Sequence, residues 1–102
     1  MSWRKVCRID EIPRLGARVV RGETCGIAVF RTSDDRVFAL ADHCPHRGGP
    51  LSQGIVHGGR VTCPLHDWTV ELETGAAVAP DEGGTSCYAV RIEGDAVLVD
   101  VP

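Results

Sequence analysis

No run of eighteen apolar residues occurs in the 102-residue chain, and its start, MSWRKVCRID, has neither the apolar stretch nor the small-residue cleavage site of a secretory signal. A membrane span and an export leader are therefore not expected, and the protein is expected in the cytoplasm. Positive charge is not in excess either. Eleven Lys and Arg stand against 14 Asp and Glu, a formal net charge of −3, and the basic residues form no stripe. That balance argues against nucleic acid and against a membrane surface as partners. The chain also lacks a glycine-rich dinucleotide fingerprint, a flavin site and a facial triad of two histidines and a carboxylate. Whatever it does, it is not expected to be a complete redox enzyme alone.

Five cysteines is an odd number, and a chain in a reducing compartment keeps its thiols unpaired, so a disulfide framework is not expected. Cys7, Cys25 and Cys87 each sit in or beside an apolar run, where a free cysteine behaves as a small buried hydrophobe. Cys44 and Cys63 differ: each is followed by proline and then, within two or three positions, by histidine.

Helical periodicity is scarce as well. The chain reads as short β-branched runs punctuated by turn signals, which predicts one all-β domain over residues 1–102. Strands are expected at 17–21, 25–32, 36–41, 60–63, 68–73, 76–80, 87–93 and 96–101. Turns are expected at Ser33 to Asp35, at His57 to Gly59, at Thr74 and Gly75, and at Gly94 and Asp95. The one helical candidate, 10–16, is limited to about a turn by Pro13 and Gly16. The irregular segment 42–59 is long for a compact domain, and such loops are usually functional.

That segment carries CPHRGGPLSQG, in which Cys44 and His46 flank one proline. After sixteen intervening residues comes CPLH, with Cys63 and His66. Two sulfur and two nitrogen donors could hold a tetrahedral zinc. Zinc fingers, however, pair Cys with Cys and His with His across a helix. Here each loop offers one of each, which suits a two-iron cluster with the two cysteines on one iron and the two histidines on the other. His43 and His57 match neither half-site and read as exposed loop residues with a secondary electrostatic role.

Cys-x-His, sixteen residues, then Cys-x-x-His resembles the Rieske iron-sulfur signature. The resemblance implies an antiparallel β-sandwich with a small cluster-binding subdomain formed by two loops, at about 42–59 and 63–68. It implies one 2Fe-2S cluster bound by Cys44, His46, Cys63 and His66. Gly48, Gly49 and Gly54 would let backbone amides approach the sulfides, and Leu51, Leu65 and Trp68 would shield the group; Trp68 reads equally as a core aromatic. Neutral imidazoles in place of two thiolates raise the potential above that of an all-cysteine cluster. The respiratory members of the family carry a cross-loop disulfide where this chain has Gly49 and Leu65, and their Ser and Tyr donors are missing here, with Asp67 and Trp68 in the corresponding region. A potential toward the low end of about −150 to +300 mV is therefore expected.

Over nearly its whole length, through Trp3, DEIP, GARVV, IAVFRTSDDRVFALADHCPHRGGPLSQGIV, CPLHDWTVELETGAAVAPD and YAVRIE, the chain is similar to the small subunit of assimilatory NAD(P)H-dependent nitrite reductase. That resemblance implies a large partner subunit carrying flavin and siroheme, reducing nitrite to ammonium. The alternative resemblance is to the Rieske ferredoxins of ring-hydroxylating dioxygenases, which implies a flavin reductase and a terminal oxygenase as partners.

Overall fold

Residues 27–30, IAVF, offer no alternation of apolar and polar, and a strand of this kind must be covered on both faces. In the computed structural model, which describes residues 2–21, 26–42, 50–63, 68–78 and 83–101, it is the middle layer of three sheets. The strands are β1 (Ser2–Arg8), β2 (Gly16–Arg21), β3 (Gly26–Arg31), β4 (Val37–Ala41), β5 (Ile55–His57), β6 (Arg60–Thr62), β7 (Thr69–Glu71), β8 (Cys87–Tyr88), β9 (Val90–Glu93) and β10 (Ala96–Val101). They form sheets ordered β1-β10-β9, β2-β3-β4-β8 and β5-β6-β7, every pairing antiparallel. The all-β expectation holds: the described residues contain no α-helix, only 3-10 turns at Ile9–Glu11 and Leu51–Gln53. Among them no helix is long and apolar enough to cross a membrane.

The pleat of β3 sorts its side chains into two cores. Ile27 and Val29 join Cys7, Ile12, Ala39, Val97 and Val99 between the middle sheet and the β1-β10-β9 sheet. Ala28 and Phe30 join Leu40, Leu51, Val56, Val61, Cys63, Val70 and Leu72, toward the small sheet. The first pair of sheets is the sandwich. The small sheet, with the turn at Leu51–Gln53, is the subdomain that carries the second loop and the end of the first.

Several expected elements differ. The strand expected at 87–93 breaks at Ala89, because β8 pairs with β4 while β9 pairs with β10; the chain changes sheets there, turning a corner of the sandwich. The strand expected at 76–80 is, in its described part, only two isolated bridges, Val70 to Ala77 and Ala76 to Gly84. Gly75 directs this segment: its φ is +79°, and a Cβ there would lie 2.2 Å from the Thr85 carbonyl oxygen. The helical candidate at 10–16 shrinks to the 3-10 turn Ile9–Glu11, followed by a turn in which the Gly16 amide donates to the Pro13 carbonyl. β1 and β5 were not expected. Cys7 is buried, as its apolar neighbours suggested, but Cys87 is exposed, because β8 is a two-residue edge strand. Cys25 lies outside the described residues.

Candidate metal centre

Of the four expected ligands, Cys63 lies among the described residues; Cys44, His46 and His66 lie outside them, as do His43, Gly48, Gly49, Leu65 and Asp67. What the structure describes is the frame from which both loops spring. The first loop leaves β4 at Asp42, whose amide donates to the Gly26 carbonyl, so its departure point is fixed to the middle sheet. It returns at Leu51, fully buried in the second core. The Asp42 carboxylate spans the two ends. Its Oδ1 accepts from the Ser52 amide at 2.7 Å and its Oδ2 from the Ser52 hydroxyl at 2.9 Å.

The second loop leaves β6 at Cys63, which has no exposed surface and packs in the second core, with Trp68 partly buried against the same cluster. The Cys63 amide donates to the Trp68 carbonyl at 2.6 Å, and Thr62 and Thr69, one residue outside on either side, share a hydroxyl hydrogen bond of 3.0 Å. His57 closes this chain from β5, with Nε2 2.7 Å from Thr62 Oγ1. His57 is thus exposed, as expected, but it ends strand β5 and is tied to the second loop's base rather than lying in a loop. Trp68 packs as the core-aromatic reading expects, against the same buried cluster that includes Cys63.

The two loop bases meet at Gly54. A Cβ there would lie 2.4 Å from the Thr62 carbonyl oxygen and 3.1 Å from that of Leu51. The backbone of the first loop's return passes so close to β6 that no side chain fits. The Gly54 amide donates to the Leu51 carbonyl at 2.9 Å, so it closes the 3-10 turn and is not held in reserve for a sulfide. Leu51 likewise is a core residue.

This frame fits a 2Fe-2S group. It brings a buried cysteine to the head of one loop, and it ties both loop bases through Asp42, Ser52, Thr62, Thr69 and His57, none of which is a ligand of the motif. Sequence reasoning missed these ties. Asp42 and Ser52 flank the first half-site and were visible as polar residues at its borders, but a tie across ten positions has no local period.

Comparison with known proteins decides the family. The sequence model of the Rieske [2Fe-2S] domain matches residues 2–89. The chain belongs to that family. As a Rieske protein it is an electron carrier with one Rieske-type 2Fe-2S cluster. It is 38% identical over 98% of its length, and 93% of the relative's, to the anthranilate 1,2-dioxygenase ferredoxin subunit of Burkholderia cepacia. Among solved structures, the ferredoxin of Sphingomonas yanoikuyae B1 is similar at a TM-score of 0.86 and 27% identity, covering 99% of this chain and 100% of that one. A structure named as an NADH-dependent nitrite reductase small subunit from Mycobacterium tuberculosis is equally similar in fold, at a TM-score of 0.86 and 22% identity, covering 96% of this chain and 93% of that one.

Proposed function

We propose that this Rieske protein is the ferredoxin of a ring-hydroxylating dioxygenase system, accepting single electrons from a flavin reductase and delivering them to a terminal oxygenase. In this reading Cys44 and Cys63 bind one iron through sulfur, and His46 and His66 bind the other through nitrogen. The observation that carries it is the 38% identity to a dioxygenase ferredoxin subunit along nearly the full length of both chains. When bound, the cluster supplies one-electron storage; the chain's own work is to bury Cys63, fix both loop bases and offer a face to its partners.

The second reading, the small subunit of a nitrite reductase, is supported by the shared architecture and by the resemblance of the DEIP, AVFRT and PDEGG segments. At 22% identity that likeness speaks for the fold alone. The two readings differ in the oxidant of the reduced protein. Chemically reduced protein is mixed anaerobically with an aromatic-ring terminal oxygenase, and separately with a siroheme nitrite reductase large subunit, while its visible absorption is followed. Reoxidation by the oxygenase alone supports the proposal. Reoxidation by the siroheme subunit alone overturns it in favour of the second reading. Iron and sulfide content of C44A and H46A proteins tests the ligand set, each expected to lose the native cluster.

A further inference from the structure

We propose that Asp42 is a positioning residue for the cluster: its carboxylate ties together the two ends of the segment that carries Cys44 and His46, and so braces the first ligand loop at its base. The inference rests on the ligand reading above. Both ends of the clamp are independently anchored. Asp42 is held to the middle sheet by its amide bond to Gly26, and Ser52 lies in a 3-10 turn whose first residue, Leu51, has no exposed surface. Within that turn the Gln53 amide donates to Pro50 and the Gly54 amide to Leu51, while the amide and hydroxyl of Ser52 both go to Asp42.

The chemistry of the clamp is well matched to the task. A carboxylate that accepts two hydrogen bonds on its two oxygens fixes direction as well as distance, and charged hydrogen bonds are shorter and roughly twice as strong as neutral ones. A loop closed this way does not depend on the metal alone to order its ends. Gly49 and Leu65 leave no cysteines at those positions with which the two loops could be joined covalently. A side-chain tie at the base of the first loop, and the hydroxyl tie of Thr62 to Thr69 at the second, brace each loop separately.

The test compares wild type with D42A, D42N and S52A, using cluster-loaded protein for iron release to a chelator and for EPR of the dithionite-reduced state. It uses metal-free protein for amide exchange at Ser52. For D42A we expect iron release about tenfold faster or more, from the loss of two charge-assisted bonds, and broadened EPR lines. D42N should recover most of this, because an amide accepts from the Ser52 N–H through its oxygen and donates to the Ser52 hydroxyl through its nitrogen. S52A keeps the backbone bond and should fall between, which preserves the comparison if D42A takes up no cluster. Wild-type release rate and lineshape in D42A would overturn the clamp, as would D42N behaving like D42A. Wild-type protein that takes up zinc and no iron would sink the ligand reading instead. The clamp then stands or falls on metal-free exchange, where the Ser52 amide of D42A should exchange about tenfold faster or more.

Discussion

Gly54 shows how much one residue can carry at this site. Because its missing side chain lets the first loop's return cross β6 beside Thr62, Gly54→Ala must push the turn at Leu51–Gln53 away from the strand that ends at Cys63. The nearest opposing atom, the Thr62 carbonyl oxygen, is backbone and cannot rotate aside, and the next is a methyl of Val61, itself buried in the second core. The variant should lose about 1–3 kcal/mol of stability in urea denaturation, the cost of overpacking, and release iron faster than wild type. An unchanged midpoint and release rate would mean the crossing is looser than described. Far from this site, Asp35 sits at φ +65° in the β3–β4 hairpin, with its carboxyl held below the usual carboxylate range first by its hydrogen bonds from Arg14 and then by those from Arg31. Asp34 beside it is lowered likewise, chiefly by the Thr32 hydroxyl and then by Arg36. A carboxyl whose folded pKa is depressed contributes stability that is present above its unfolded value, about pH 4, and is lost as pH falls through the folded value. Asp35→Asn keeps a residue type that tolerates positive φ and removes the charge, so its stability should fall less steeply than wild type below about pH 4 in acid titrations followed by circular dichroism. Identical acid limbs would show that the carboxyl contributes nothing to the pH dependence.

At the scale of elements, β3 is the strand through which the two cores are joined. Its alternate residues answer to different neighbours, and this gives a test that reads the layers separately. Ile27→Ala opens the sandwich core and should cost about 2–5 kcal/mol; Phe30→Ala opens the core that contains Cys63 and should cost about 3–5 kcal/mol. Only the second should alter the EPR lineshape of the reduced protein, since Phe30 and Cys63 belong to one cluster and Ile27 to the other. An altered lineshape in I27A alone would reverse the assignment of faces. The same strand was legible in the sequence because its apolar run is short, lies between turn signals and is rich in β-branched and aromatic residues, Ile27, Val29 and Phe30. The turns were legible for the same local reason: Gly58 and Gly94 take φ of +58° and +63° where the sequence places hairpin turns. What was illegible was not local. In β1 the register shifts between Lys5 and Cys7, so the alternation that marks a strand breaks midway, and its pairing partner β10 lies at the other end of the chain. β5 has three residues, too few to show a period. The change of sheet at Ala89 leaves no mark in YAVRIE, where Tyr88, Ala89 and Val90 form an unbroken apolar run across it. At the metal centre the ligand pattern was legible in the spacing of Cys44, His46, Cys63 and His66, whereas Asp42, Ser52, Thr62 and Thr69 find one another only after the strands have paired.

On the scale of the whole molecule, the two cores differ in what they owe to iron. The sandwich core contains none of the proposed ligands and is closed by β1, β2, β3, β4, β9 and β10. The second core includes Cys63, and its small sheet consists of three strands of three residues each, a size that is marginal without further support. Metal binding energy is folding energy wherever the site and the fold form together, so its loss should be felt unequally. Protein stripped of iron by a chelator under reducing conditions should keep slow amide exchange in β3, β4 and β10, while amides of β5, β6 and β7 exchange markedly faster than in the cluster-loaded form. Hydrogen exchange read by mass spectrometry distinguishes this from the alternatives. Uniform loss of protection would show that both cores depend on the cluster; unchanged protection in β5 to β7 would show that Leu51, Val56, Val61, Val70 and the side-chain ties at the loop bases hold the subdomain by themselves. The expected intermediate result has a functional side. A sandwich that persists while the subdomain opens is a form that can take up a cluster again, with Asp42 and Gly26 still marking where the first loop begins.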